Sequence, residues 1–258
     1  MVVMYEGESG DPLGNSAAPY INRLARAYAY DVDWYGVSHP SLPNYLAVTS
    51  GGYWGCRSDA CALDSYTENN LGNQLDRADI PWGAYMESMP SDCYARSTSG
   101  EYAAKHDPFV YYRDIHSACP DHVLPYPGSA GLLSALDGVD APDFVWITPN
   151  LMDDMHSGTM AEGDAWLRAN LAPVLTSGWF SDSASTVIFM MDENNRLPSP
   201  AGGLIPMIVI SSKARGVGKV SRYGNDNGAL RSIEETFGLP LLAGAGNPAN
   251  GDLLSLFG

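Results

Sequence analysis

Residues 185–192 read STVIFMMD, an apolar run without a polar break, closed by a carboxylate. A strand with one face in water alternates apolar and polar side chains, whereas an unbroken run belongs to a strand covered on both faces. LIPMIVISS (204–212) has the same character, and MVVMY (1–5), DVDWYG (31–36), PWGAYME (81–87) and DFVWITP (143–149) read as further strands. Between them lie helical segments. These are 17–29, ending near Tyr30; 69–80, with Leu71, Leu75 and Ile80 as its apolar positions; 129–138, closed by a glycine; 161–175; and 226–239. This alternation predicts an α/β fold: a mostly parallel sheet between two helical layers, a three-layer α/β/α sandwich. No repeat or linker interrupts it, so one domain over 1–258 is expected, with a loop-rich excursion at about 86–127.

Composition narrows the function. The 258 residues carry 14 Lys plus Arg against 30 Asp plus Glu, a net charge of −16. So acidic a surface repels phosphate backbones and argues against nucleic acid as a partner. A charged anionic substrate then needs a metal or a local cluster to invert the field. No window reaches the ~18 apolar residues of a membrane span. Either the protein is cytoplasmic or a leader has been removed. The four cysteines, Cys56, Cys61, Cys93 and Cys119, lie in hydrophilic loops. They favour two disulfides, 56–61 and 93–119, and therefore a secreted or periplasmic setting.

In open parallel sheets ligands bind beyond the C-terminal ends of the strands. Glu6 and Glu8 follow the first strand, His39 and Ser41 the second, Asp154 and His156 the strand at 143–149, and Asp192-Glu193 the run at 185–191. Each is weak alone: Glu6 and Glu8 could be plain loop acids, and His39 and His106 satisfied structural histidines. Their common address suggests a shared cavity, and carboxylates with imidazole suit a divalent cation. In YGVSHPSLPNYLAVTSG (35–51), Pro40 and Pro43 brace Ser41. On spacing alone Ser41 reads first as a helix cap, second as a nucleophile. Aromatics near the expected mouth, among them Tyr35, Tyr45, Trp54, Tyr111 and Tyr112, suggest a partly apolar substrate or simple lid packing.

HPSLPNYLAVTSG (39–51), KHDPFVYY (105–112), TPNLMDDMHSG (148–158) with GDAWL (163–167), FMMDEN (189–194) and LRSIEETFGL (230–239) occur in register. In this the chain resembles the bacterial phosphoesterase family of acid phosphatases and phospholipases C, within the alkaline-phosphatase-like superfamily. The resemblance implies an α/β/α sandwich and a metal-dependent phosphoesterase. It makes Ser41 the nucleophile, activated by metal, with Glu6, Asp192 and Glu193 holding one divalent ion of open identity. Asp154 and His156 resemble the catalytic pocket pair. His106, His39 and Asn44 make up the implied substrate-binding set, Asn44 reading also as structural. The substrate is a small phosphate ester.

The chain departs from the family in three places. The Glu-Asn after the first strand becomes Tyr5-Glu6 or Glu6-Gly7. Trp-Asp-Glu-Gly becomes Met191-Asp192-Glu193-Asn194. A histidine before the last long helix becomes Asn225 or Asp226. A lost neutral ligand weakens a metal site. Two alternatives therefore stand behind metal-dependent hydrolysis. One is a repurposed fold doing non-hydrolytic acid–base chemistry (cyclisation, elimination or transfer), with the metal altered or absent. The other is an inactive binding module.

Overall fold

The run at 186–191 is a strand near the middle of an eight-stranded sheet, and cover on both of its faces accounts for the missing alternation. A computed structural model describes residues 1–115, 117–181, 184–194 and 202–257. In chain order the elements are β1 (Val2–Tyr5), α1 (Pro19–Ala27), β2 (Ala29–Asp31), β3 (Trp34–Tyr35), α2 (Ser41–Ser50), α3 (Leu71–Arg77) and β4 (Trp82–Met86). Then come β5 (Thr98–Ser99), β6 (Tyr102–Ala103), α4 (Cys119–His122), β7 (Val123–Pro125), α5 (Gly128–Leu136) and β8 (Phe144–Thr148). The last part holds α6 (Met160–Leu175), α7 (Gly178–Ser181), β9 (Thr186–Met191), β10 (Met207–Ser211), β11 (Gly218–Val220), β12 (Gly224–Asn225) and α8 (Asp226–Phe237).

The main sheet runs β11-β2-β10-β9-β1-β8-β4-β7. β10 is antiparallel to β9 and to β2, and the other pairings are parallel. Val2–Tyr5 and Val187–Met191 are buried throughout. One helical group, α1, α5, α6 and α7, packs together, and α2 packs with α3 and α8. Strands buried on both sides between two such groups form the expected α/β/α sandwich. Local signals end the helices where they should. Thr159 and Glu162 form a capping box at the start of α6. Gly51 and Gly238 close α2 and α8 with φ near 75° and 67°, left-handed geometry that glycine adopts without a Cβ clash.

Three expectations need correction. The helix predicted to reach Tyr30 stops at Ala27, and Ala29–Asp31 joins the sheet. DVDWYG is not one strand: the buried Asp31 carboxylate accepts from Asp33 N (2.9 Å) and Arg222 N (3.2 Å), turning the chain before Trp34. β3 then pairs with β12 in a separate two-stranded ribbon. The segment at 86–127 does more than pass over an edge, because its β7 extends the sheet beside β4. Both expected disulfides form, Cys56–Cys61 and Cys93–Cys119.

Candidate functional site

Register builds the site. Tyr5 pairs with Met191 across β1 and β9, so the next residues on each strand, Glu6 and Asp192, emerge side by side. Asp192 N donates to Tyr5 O (3.0 Å), continuing the ladder one step. Glu6, Asp192 and Glu193 are all buried.

Ser41 is the first residue of α2, and Pro40 holds the cap position without any side-chain cap bond. The cap reading is thus overturned: the Ser41 hydroxyl turns away from the helix end and donates to Glu6 Oε2 (2.9 Å), with Glu193 Oε1 at 3.5 Å. Asn44 braces the bend that aims it. Its Oδ1 accepts from Val37 N (2.9 Å) and Ser38 N (2.8 Å), and its Nδ2 donates to Ser38 O (3.0 Å) and Pro40 O (3.3 Å). With its amide fully committed and buried, Asn44 is structural, and the substrate-binding expectation for it fails.

Behind Glu6 lies a linear array. His106 Nε2 is 3.0 Å from Glu6 Oε1, and its Nδ1 is 2.9 Å from Asp154 Oδ2. Tyr45 stacks on the His106 ring (centroids 5.4 Å apart, planes 10° apart) and donates to Glu6 Oε1 (2.9 Å). Burial opposes charge on both partners, but the pairing overcomes it. His106 is raised to about 10 by Glu6 and Asp154, and Glu6 is held down to about 2 by His106. His106 is therefore an imidazolium between two carboxylates. It is only 3% exposed, with its two nitrogens at ion-pair distance from the carboxylates and Nε2 without a hydrogen-bond partner of its own. Asp154 reaches the site through His106 and also accepts from His156 N (2.8 Å).

On the other side, Asp192 Oδ1 accepts from Gly7 N (3.2 Å), while Oδ2 is buried without a hydrogen-bond partner. Burial and then Glu6 push Asp192 well above the usual carboxylate range. Of the two candidates for the missing histidine's place, Asn225 is the cap of α8, accepting from Asn227 N (3.1 Å). Asp226 instead faces the bend before Ser41, accepting from Val37 N (3.0 Å), and its charge bears on Asp192. Gly7 takes the family asparagine's place if one residue is deleted. A Cβ there would lie 1.5 Å from the Glu193 carbonyl oxygen, so the backbone itself excludes an asparagine. His39 pairs with Glu193 through Nδ1 and stays 30% exposed.

His156 lies at the outer side, its Nε2 3.0 Å from Lys105 Nζ. Lys105 also donates to Asp59 Oδ2 (2.9 Å). Glu6, His106 and His156 bring ligand atoms within 4.8 Å of one another, a spacing able to hold a metal ion. Lys105 and Asp59 escaped the sequence reading. The one available signal was a lysine beside His106 in a chain with only three lysines. The aromatic mouth is largely core: Tyr45, Tyr111 and Tyr112 are buried, and only Trp54 of that group is exposed.

The profile of the Phosphoesterase family matches residues 11–240. The chain belongs to the phosphoesterase family. Phosphoester hydrolysis is the chemistry that membership brings. This phosphoesterase is 28% identical over 230 residues to a phosphatidylinositol-3-phosphatase of Mycobacterium tuberculosis, covering 88% of the chain and 72% of the relative. It is 27% identical over 200 residues to a phosphate-repressible acid phosphatase of Penicillium chrysogenum, covering 72% of the chain but 48% of the relative. Among solved structures, an alkaline phosphatase superfamily protein of Vibrio parahaemolyticus aligns at TM-score 0.66 and 12% identity, over 96% of this chain and 69% of that one. Murine ectonucleotide pyrophosphatase/phosphodiesterase 5 aligns at 0.62 and 11%, over 96% and 97%. At such identities the two structures bear on the fold alone. No helix among the described residues is long and apolar enough to cross a membrane.

Proposed function

We propose that this phosphoesterase hydrolyses small phosphate esters with Ser41 as nucleophile and one divalent cation as cofactor. The observation that carries the reading is the Ser41 hydroxyl set between Glu6 and Glu193 beside the unpartnered Asp192 Oδ2. A buried carboxylate oxygen without a donor is costly unless a cation satisfies it. The donor set of Glu6, Asp192, Glu193 and the serine oxygen suits a hard cation such as Mg, Mn or Ca. Glu6 is shared with the second possible ligand group, Glu6, His106 and His156, in which Lys105 Nζ lies 3.0 Å from His156 Nε2. When bound, the cation would lower the serine pKa and neutralise phosphoryl charge.

The chain's own residues do the rest. As Ser41 Oγ attacks phosphorus its proton passes by way of Glu6 to solvent, an O–P bond forms, and the ester oxygen departs with its electron pair and takes a proton from water. A second water then attacks the phosphoseryl phosphorus, a proton from it restores the serine hydroxyl, and phosphate is released. Glu6 orients the hydroxyl and, held anionic by His106, is too weak a base to keep its proton. His156, whose pKa burial lowers, lies at the outer side beside Lys105 and would meet a phosphoryl oxygen there. Aryl phosphate turnover should depend on added Mg, Mn, Ca or Zn, and Ser41→Ala should lower it by at least ~10³-fold. Turnover that ignores both the metal and the variant would overturn the reading.

A metal-free acid–base enzyme is the second reading, favoured by the linked Ser41–Glu6–His106–Asp154 array and the excluded asparagine at Gly7. Elemental analysis separates them: stoichiometric metal disfavours it. The two disulfides support an exported protein.

A further inference from the structure

The charge around Ser41 poses a problem that the nucleophile and the carboxylates do not solve. Glu6, Asp192, Glu193 and Asp226 are buried acids, and His106 lies behind Glu6, between it and Asp154. A phosphoryl group entering here meets carboxylates on several sides. Among the described residues it is Lys105 whose ammonium bears on Glu6 and Asp192. Two of its three N–H donors have partners, Asp59 Oδ2 and His156 Nε2. Among the described residues the third has no partner, and the side chain is 19% exposed.

Asp59 fixes that lysine to the nucleophile. Its Oδ2 holds Lys105, while its Oδ1 accepts from Leu42 N (3.1 Å), the residue after Ser41. It lies between Cys56 and Cys61, so a disulfide closes the loop that carries it. One carboxylate thus ties the lysine to the backbone next to Ser41.

Resting on the phosphoesterase reading, we propose that Lys105, positioned by Asp59, binds the peripheral oxygens of the transferred phosphoryl group and gives this site its preference for phosphate monoesters over diesters. Coulomb attraction scales with charge. A monoester dianion carries up to twice the charge of a diester and one more free oxygen, so it gains more from the ammonium. Asp59 is a positioning residue.

The test compares kcat/KM for p-nitrophenyl phosphate and bis(p-nitrophenyl) phosphate in the intact, metal-supplemented protein. A charge-assisted hydrogen bond corresponds to roughly 10- to 100-fold in rate. Lys105→Met should lower the monoester-to-diester ratio at least ~10-fold, and Lys105→Arg should recover most of it. Asp59→Asn should raise the monoester KM more than it lowers kcat. An unchanged ratio, or an equal fall for both esters, overturns the proposal. If the wild type cleaves neither ester, the hydrolase reading fails, and calorimetric titration with inorganic phosphate decides for the lysine. Binding weakened at least ~10-fold in Lys105→Met sustains it; equal binding, or none to the wild type, overturns it. Circular dichroism melting checks that each variant is folded, and Lys105→Gln, with the same expected loss, serves if Lys105→Met is not.

Discussion

His106 shows how much one residue's surroundings decide. Its type suits a ligand, a base or a phosphate contact, but two carboxylates at about 3 Å convert it into a buried cation that holds Glu6 and Asp154 together. Removing one partner of a buried pair leaves the other charge uncompensated. His106→Ala should therefore lower unfolding free energy by about 3–5 kcal/mol in a denaturant titration. Gly7 makes a complementary point. Writing the family's asparagine back into the sequence, Gly7→Asn, should weaken rather than restore any metal site, because its Cβ meets the Glu193 carbonyl. Metal affinity and melting temperature should both fall; a gain in affinity would mean that the two strand ends can part. At this scale Ser41, Glu6, Asp192 and Glu193 were legible from motif and position. Lys105 and Asp59 were not, since their partners lie 51 and 17 residues away.

Elements position these groups through their ends. α2 begins at Ser41 because Pro40 fits the cap position, and β1 and β9 deliver Glu6 and Asp192 by register. α8 is anchored at its far end by Glu234, buried, whose two oxygens accept from Leu242 N (3.1 and 3.2 Å). Burial pushes this carboxyl up to about 8. A carboxyl whose folded pKa lies above its unfolded value stabilises when protonated. Its contribution is full below about 4.5 and is lost as pH rises through about 8. Relative to Glu234→Gln, the wild-type melting temperature should fall by a few degrees between pH 5 and 8. Parallel curves would place the titration elsewhere. The sequence reading found the long helices and the apolar strands. It missed β5, β6, β7, β11 and β12, which have two or three residues each and no periodicity to display.

For the whole molecule, the sheet is the frame and the excursion brings chemistry to it. Lys105 and His106 come from 86–127, a segment tied back by Cys93–Cys119, 26 residues apart. Closing a loop of that length removes about 3 kcal/mol of unfolded-state entropy. Cys93→Ala with Cys119→Ala should lower stability by about that amount and loosen Lys105 and His106 together, read as faster amide exchange at 104–107.

The sequence by itself determined the layers, because strands without alternation must be covered on both faces. It also determined the proline-braced bend at Ser41 and the acids at the strand ends, because strand polarity sends those ends to one rim. Tertiary structure decided what the acids do. Which carboxylate meets an imidazole, which keeps a bare oxygen, and which lysine meets Asp59 and His156 depend on contacts across 35 to 152 residues. Charge interactions act through space over a few ångströms, and sequence order does not encode those distances.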